Sequence, residues 1–291
     1  MDEKDFALLQ EVLAKRSGLV LTRDKAYLLE SRLMPVARRW SFAGLGELVG
    51  ALRNRRDERL LREVTEAMTT NESSFFRDVR PFDQFRDVVV PRLLENRAGQ
   101  RRLRIWSAAC SSGQEPYSLA MILSEMKPKL TGWQIEILGT DLSTEILAKA
   151  KEGVYSQFEV QRGLPIQLLV KHFAQQGDRW HINPDLKAMV QFRAFNLLED
   201  MASLGRFDVI FCRNVLIYFD QPTKARVLDG LSRCLARDGF LYLGGAETVL
   251  GLTSRFQPLE GQRGIYRLTD AAAEEAGSST GTGPGWARAA G

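Results

Sequence analysis

The residues most suited to chemistry begin in the run Leu103-Arg104-Ile105-Trp106-Ser107-Ala108, which passes through Ala109-Cys110-Ser111-Ser112-Gly113 into Gln114-Glu115-Pro116-Tyr117-Ser118. An apolar strand feeding a small-residue turn and then a helix makes a ligand crevice. Small side chains at Ser111, Ser112 and Gly113 would let backbone approach a bound molecule. Pro116 stands in the first helical turn, where its missing N–H costs least. The dinucleotide pattern G-x-G-x-x-G is absent, and Glu115 would repel phosphate from the positive end of the helix. A loop with one glycine and a carboxylate at the helix start suits a ligand with a cationic end. S-adenosylmethionine, with an ammonium and a sulfonium, is such a ligand. An ordinary strand-to-helix turn would show the same pattern.

Three further clusters accompany it. The next strand ends in Leu138-Gly139-Thr140-Asp141, and an acidic side chain at that carboxyl end lies where ribose hydroxyls sit in a doubly wound sheet. Asp141 is the expected ribose ligand, with a helix N-cap as the alternative. The apolar run Phe207-Asp208-Val209-Ile210-Phe211-Cys212 meets polar Arg213-Asn214 at its carboxyl end, followed by Tyr218 and Phe219. This is the sheet edge at which ligands bind. Finally, Met68-Thr69-Thr70-Asn71-Glu72-Ser73-Ser74-Phe75-Phe76-Arg77-Asp78 sets short hydrogen-bonding side chains beside two aromatics and an arginine. Phe75 and Phe76 docked in a core would hold Asn71, Ser73 and Arg77 over a pocket.

The elements that must carry these residues follow from periodicity. Up to about residue 85 apolar residues recur at helical spacing: Phe6, Leu8, Leu9, Val12 and Leu13, then Tyr27, Leu28, Leu29 and Leu33, then Leu48, Val49, Leu52, Leu60, Leu61 and Val64. From Leu103 the pattern becomes strand and helix in alternation, with strands at Leu103–Ala109, Ile135–Thr140, Val190–Phe195, Phe207–Cys212 and Phe240–Gly244. Repeated β-α alternation predicts an α/β fold with a mostly parallel, doubly wound sheet. Between Gly153 and Pro184 the alternation breaks, with a helical piece near Gln167–Phe173 and a hairpin around Gly177-Asp178, which reads as an insertion. The expected domains are 1–85 with its linker, 86–269 with the insertion at 153–189, and a disordered Ala, Gly, Ser and Thr-rich tail over 270–291.

Composition narrows the function classes. A net charge of +4 arises from 40 basic and 36 acidic residues, a mixture that does not argue for nucleic acid. Cys110, Cys212 and Cys234 form no C-x-x-C pair and leave one thiol over from any disulfide, which points to a reducing, cytoplasmic compartment. With two histidines and scattered thiols there is no zinc-ligand spacing, so no metal is expected. The chain starts with charged residues and has no apolar stretch long enough for a membrane span, so neither secretion nor insertion is expected.

The four clusters together resemble the CheR family of chemotaxis receptor glutamate O-methyltransferases, from about Phe6 to Leu268. The resemblance rests on Thr69-Thr70-Asn71 through Arg77, Ala108 to Ser118, Asp141, Asn196-Leu197-Leu198 and Phe207 through Phe219. It implies a class I S-adenosylmethionine-dependent methyltransferase sheet (Rossmann-like), an N-terminal helical domain and an inserted antiparallel β-subdomain. Cofactor contacts would fall on Asn71, Ser73, Arg77, Glu115, Asp141, Asn196, Leu197, Arg213 and Asn214. Ser73 stands where the family often has threonine, which keeps the hydroxyl.

The expected reaction is methylation of receptor glutamate carboxylates to methyl esters, with S-adenosylhomocysteine as product. Arg77 and Tyr218 are the expected catalytic residues, Arg77 orienting the carboxylate and Tyr218 supplying a hydroxyl. Arg32, Arg38 and Arg39 would offer a basic docking face to the acidic methylation region of a chemoreceptor. The resemblance also suggests a receptor C-terminal peptide bound to the β-subdomain, and a monomer is expected. Two alternatives are a methyltransferase acting on RNA or a small molecule, and a non-catalytic S-adenosylmethionine sensor. No aromatic and basic stacking platform supports the RNA reading.

Overall fold

A computed structural model describes residues 2–54 and 57–278. Four helices open the chain: α1 (Glu3–Ser17), α2 (Tyr27–Arg39), α3 (Leu45–Asn54) and α4 (Glu58–Ala67). The Asp2 side chain accepts the Asp5 N–H at 2.7 Å and so caps α1. At the other end Gly18 turns left-handed at φ +75° and donates its N–H to the Ala14 carbonyl. Leu9 and Leu13, Leu29 and Leu33, Leu48 and Leu52, and Leu60 and Val64 each lie three or four residues apart, and all pack into one core with Phe6.

Ten strands follow among the described residues: β1 (Arg102–Ala108), β2 (Gln134–Asp141), β3 (Val154–Ser156), β4 (Phe173–Gln176), β5 (Arg179–Ile182), β6 (Val190–Ala194), β7 (Phe207–Cys212), β8 (Leu235–Leu243), β9 (Phe256–Pro258) and β10 (Ile265–Leu268). Seven form one sheet in the order β6-β2-β1-β7-β8-β10-β9. The first five are parallel, and β10 and β9 add antiparallel at the edge. Alternating residues of the buried strands feed two cores. Leu103, Ile105, Val209, Phe211, Phe240 and Tyr242 face one side. Trp106, Ala108, Phe207, Ile210, Cys212 and Leu241 face the other. From β1 the chain moves outward to β2, and from β6 it returns across β1 to β7. Strand order therefore reverses between β1 and β7, and the crevice outside their carboxyl ends is where such sheets bind ligands.

The insertion forms a three-stranded antiparallel sheet, β3-β5-β4, with Gly177-Asp178 turning β4 into β5. It is pressed onto the linker that follows the helical unit. Phe75 is fully buried, edge-on to Tyr155 and Phe173 of the insertion. A Cβ on Gly163, at φ +88°, would stand 2.2 Å from the Phe75 carbonyl oxygen. Gly163→Ala therefore combines left-handed strain with overpacking against backbone, and about 2–4 kcal/mol of stability should be lost. A urea midpoint matching the parent would contradict this.

The tail departs from the expected disorder over its first part. Residues Asp270–Ser278 are helical. Ala272 and Ala273 are buried against the second sheet core, and Arg255 pairs with Glu275 at 2.8 Å. Alanine is the strongest helix former, and two buried methyl groups are enough to seat a short helix. The remainder, 279–291, lies outside the described residues.

Candidate functional site

The loop leaving β1 is held in an unusual backbone. Ala109 and Ser111 have φ of +56° and +52°, and Gly113 has +91°. For the two non-glycine residues this costs roughly 1 kcal/mol or more each, so surrounding contacts must over-determine it. They do. Cys110 donates its N–H to the Thr140 carbonyl at 2.8 Å, and Ser111 donates its own to Asp141 Oδ2 at 2.9 Å. The Ser111 hydroxyl donates to the Asn71 carbonyl at 3.0 Å, and the Tyr155 hydroxyl to the Ser112 carbonyl at 2.8 Å.

Gly113 has a different role from the one its sequence context suggests. Only Ser111 of the three small residues lines the cavity. A side chain at Gly113 would meet the Ala150 Cβ at 3.0 Å and the rings of Tyr117 and Phe192. The glycine serves backbone conformation and helix packing, not approach to a ligand.

Glu115, in the first turn of the helix Gln114–Glu125, has a side chain 12% exposed. Its Oε1 accepts from the Ser107 hydroxyl at 2.8 Å, and its Oε2 accepts from Arg213 at 2.8 Å. Arg213 is 1% exposed and also donates to Asp78 at 2.7 Å and to the Arg77 carbonyl at 3.0 Å. Glu72, Glu115 and Asp141 line the cavity against Arg77 and Arg213, an acidic excess that accommodates a cationic ligand.

Asp141 is buried and tied at both oxygens, accepting the Ser111 N–H and, at 3.0 Å, the Ser143 N–H. Burial pushes its pKa up, while N–H donors from Ser143, Ser111 and Leu142 pull it back. The N-cap alternative falls to a neighbour. Ser143, not Asp141, caps the helix Thr144–Glu152.

The linker contributes Asn71, Ser73 and Arg77. Phe76, Asp78 and Val79 all have left-handed φ, at +48°, +68° and +49°. Phe76 is nonetheless fixed, with its ring in the core and its N–H on the Ser118 hydroxyl at 3.0 Å. Arg77 is half-buried beside it, with Nη1 donating to the Glu72 carbonyl at 3.0 Å. After β6, Leu197 is buried, and Asn196 donates from Nδ2 to the Arg16 carbonyl at 2.6 Å. After β7, Tyr218 is half-buried at the end of a short 3-10 turn. One cavity at the sheet's reversal point is lined by Asn71, Ser73, Arg77, Glu115, Asp141, Asn196, Leu197, Arg213, Asn214 and Tyr218.

The helical unit and the sheet each match a known family model. Residues 4–69 match the CheR methyltransferase all-alpha domain, and residues 71–265 match the CheR methyltransferase SAM binding domain. The chain belongs to the CheR methyltransferase family. It is 43% identical over 269 residues to chemotaxis protein methyltransferase 1 of Pseudomonas aeruginosa, covering 90% of this chain and 97% of that one. A chemotaxis protein methyltransferase of Pseudomonas putida is 40% identical over 265 residues, covering 90% and 96%. One from Vibrio cholerae is 38% identical over 272 residues, covering 92% and 98%. This CheR protein is thus an S-adenosylmethionine-dependent methyltransferase of chemotaxis.

In this CheR chain the helical unit is part of the cavity wall, which the sequence reading missed. Ser17, the last residue of α1, and Leu19 just past it line the cavity, as do Glu72 and Val215. Val20 donates its N–H to the Tyr218 carbonyl at 2.9 Å, and Glu66 of α4 accepts the Thr144 N–H at 2.9 Å. Where the residues around Gly18 land was not readable from the local pattern. A Cβ on Gly18 would lie 3.0 Å from the Phe219 ring.

The expected docking arginines part company. Arg32 turns inward, with Nη1 donating to the Met68 and Thr69 carbonyls at 2.8 and 3.1 Å and Nη2 to the Thr70 hydroxyl at 3.2 Å. It braces the linker that enters the cavity, because the end of α4 presents unpaired carbonyls to any nearby cation. Arg39 pairs with Glu63 at 3.3 Å, and Arg38 is exposed. No helix among the described residues is long and apolar enough to cross a membrane. No cluster of three or more His, Cys, Asp or Glu side chains among them could hold a metal.

Proposed function

We propose that the chain methylates glutamate side chains of chemoreceptors, giving glutamyl methyl esters and S-adenosylhomocysteine. The observation that carries this reading is the convergence, in one cavity, of an acidic cofactor-side wall with Arg77 and Tyr218. Glu115 and Asp141 fit the cofactor, Glu115 toward its cationic end and Asp141 toward the ribose hydroxyls. Asn71, Ser73, Asn196, Arg213 and Asn214 complete the polar wall, and Leu197 the apolar one. Bound there, S-adenosylmethionine supplies a methyl group whose carbon bonds to the glutamate oxygen as the S–C bond breaks, the electron pair leaving with sulfur.

A glutamate with a reference pKa near 4.3 is already ionised at neutral pH, so this chemistry needs no general base. The residues act by placement and by exclusion of water. One edge of the Arg77 guanidinium is held by the Glu72 carbonyl, which favours a one-sided contact with the incoming carboxylate. A bidentate pair would stabilise the ground state and blunt the nucleophile. Tyr218 offers a second donor to the same carboxylate.

Docking of the acidic receptor region is assigned to exposed Arg38, with Arg39 beside it. In the insertion, β4 is an edge strand with an outward-facing stretch from Ala174 to Gln176. Phe158, Ile166 and Val170 are exposed on the helices of the same insertion. An edge strand beside apolar side chains suits a receptor peptide added as an extra strand.

The test is transfer of label from methyl-labelled S-adenosylmethionine to receptor-containing membranes. Base-labile methyl ester on the receptor is expected. Base-stable label on RNA, or cofactor binding without any transfer, would overturn the reading.

A further inference from the structure

The loop after β7 brings Asn214 and Tyr218 to the cavity; within it the Tyr218 and Phe219 N–H groups donate to the Val215 and Leu216 carbonyls, while the N–H groups of Asn214, Val215 and Ile217 turn elsewhere. Asn214 is left-handed at φ +58°. The only helical structure in the stretch is the three-residue turn Leu216–Tyr218. Four N–H groups nevertheless find partners on one side chain that does not line the cavity. Gly244 and Asn214 donate to Glu247 Oε2 at 2.7 and 2.9 Å. Val215 and Ile217 donate to Oε1 at 2.9 and 3.3 Å.

Successive N–H groups around a left-handed residue make a concavity for an anion. An ionised carboxylate has about four acceptor positions on two oxygens, which matches four donors, whereas an amide has one oxygen and would turn its own N–H groups toward two of them. The fit extends to the strand end. A Cβ on Gly244 would lie 2.7 Å from Glu247 Oε2 and 2.9 Å from the Asn214 nitrogen, so the end of β8 and the loop after β7 close around this carboxylate.

We propose that Glu247 is a positioning residue for methyl transfer: it fixes Asn214 and Tyr218 over the cavity by binding the backbone that carries them, without touching the reacting atoms. The proposal rests on the role assigned to Tyr218 above.

Receptor methylation should be measured for the full chain and for Glu247→Gln, Tyr218→Phe and their double variant, with S-adenosylhomocysteine affinity measured alongside by calorimetry. Glu247→Gln is expected to lower kcat by about 5-fold to 10-fold, no more than the loss of the Tyr218 hydroxyl outright, since it acts by misplacing that group. Product affinity should fall by about 3-fold to 10-fold, the worth of the one hydrogen bond that Asn214 offers the cofactor. In the Tyr218→Phe background the same change should cost less than about 3-fold, because both substitutions act through one hydroxyl. Glu247→Asp, which keeps the charge with a shorter reach, should recover part of the loss.

Fully additive losses, or a lowered melting temperature with kcat intact, would reduce Glu247 to a structural residue and overturn the proposal. If Glu247→Gln does not fold, Gly244→Ala, which pushes the Asn214 nitrogen and Glu247 apart, reads the same coupling under the same criteria. A parent chain that esterifies no receptor refutes the functional reading and this proposal together, whereas a normal parent with additive variants refutes this proposal alone.

Discussion

Arg213→Met is expected to remove about 3–5 kcal/mol of stability, the usual result of deleting one partner from a buried ion pair. The loss comes from what remains. Glu115, with a side chain 12% exposed, would keep its charge without its guanidinium, and the Arg77 carbonyl would lose a donor. Asp78 is 54% exposed and can turn to water, so its share is small. Arg213→Lys should rescue little, because one ammonium cannot reproduce a fork reaching Glu115, Asp78 and the Arg77 carbonyl together. Adding Glu115→Gln to Arg213→Met should restore part of the stability, since the stranded charge is then gone. Urea unfolding with an unchanged slope reports these differences directly. A midpoint unaffected by Arg213→Met would show that the buried network contributes nothing.

Arg77→Ala is expected to lower kcat for receptor methylation by about 10²-fold, and Tyr218→Phe by about 10-fold, with product affinity changed by less than about 5-fold in each. The asymmetry follows from position. Arg77 has a charged donor fixed on one side by the Glu72 carbonyl, and Tyr218 offers a single neutral hydroxyl. If these groups orient the carboxylate, their removal lowers turnover without weakening the cofactor's hold. Single-turnover methylation alongside calorimetry separates the two effects. Normal turnover in both variants would remove them from the chemistry and leave the cavity as a binding site.

Both expectations depend on a site that local pattern partly disclosed. The strands β1, β2 and β7 were readable because buried parallel strands are short apolar runs, and β6, a half-exposed edge strand, from the alternation Val190-Gln191-Phe192-Arg193. The two-residue turn at Gly177-Asp178 was readable for the same local reason. Strands β9 and β10, three and four residues long, were not, since so few residues show no period. The helix Asp270–Ser278 was missed because low complexity hid two alanines that find a surface to bury against.

By itself the sequence determined which side chains stand at strand ends and helix starts, because periods of 2 and 3.6 residues and capping chemistry are local properties. The folded chain alone decided their partners. Arg32 faces the linker instead of solvent, Gly113 packs a helix instead of meeting a ligand, and Ser17 and Leu19 reach a cavity built mostly from residues 50 to 200 positions away. Such pairings depend on how two cores and an inserted sheet settle against one linker. No window along the chain contains both members of a contact between residues so far apart.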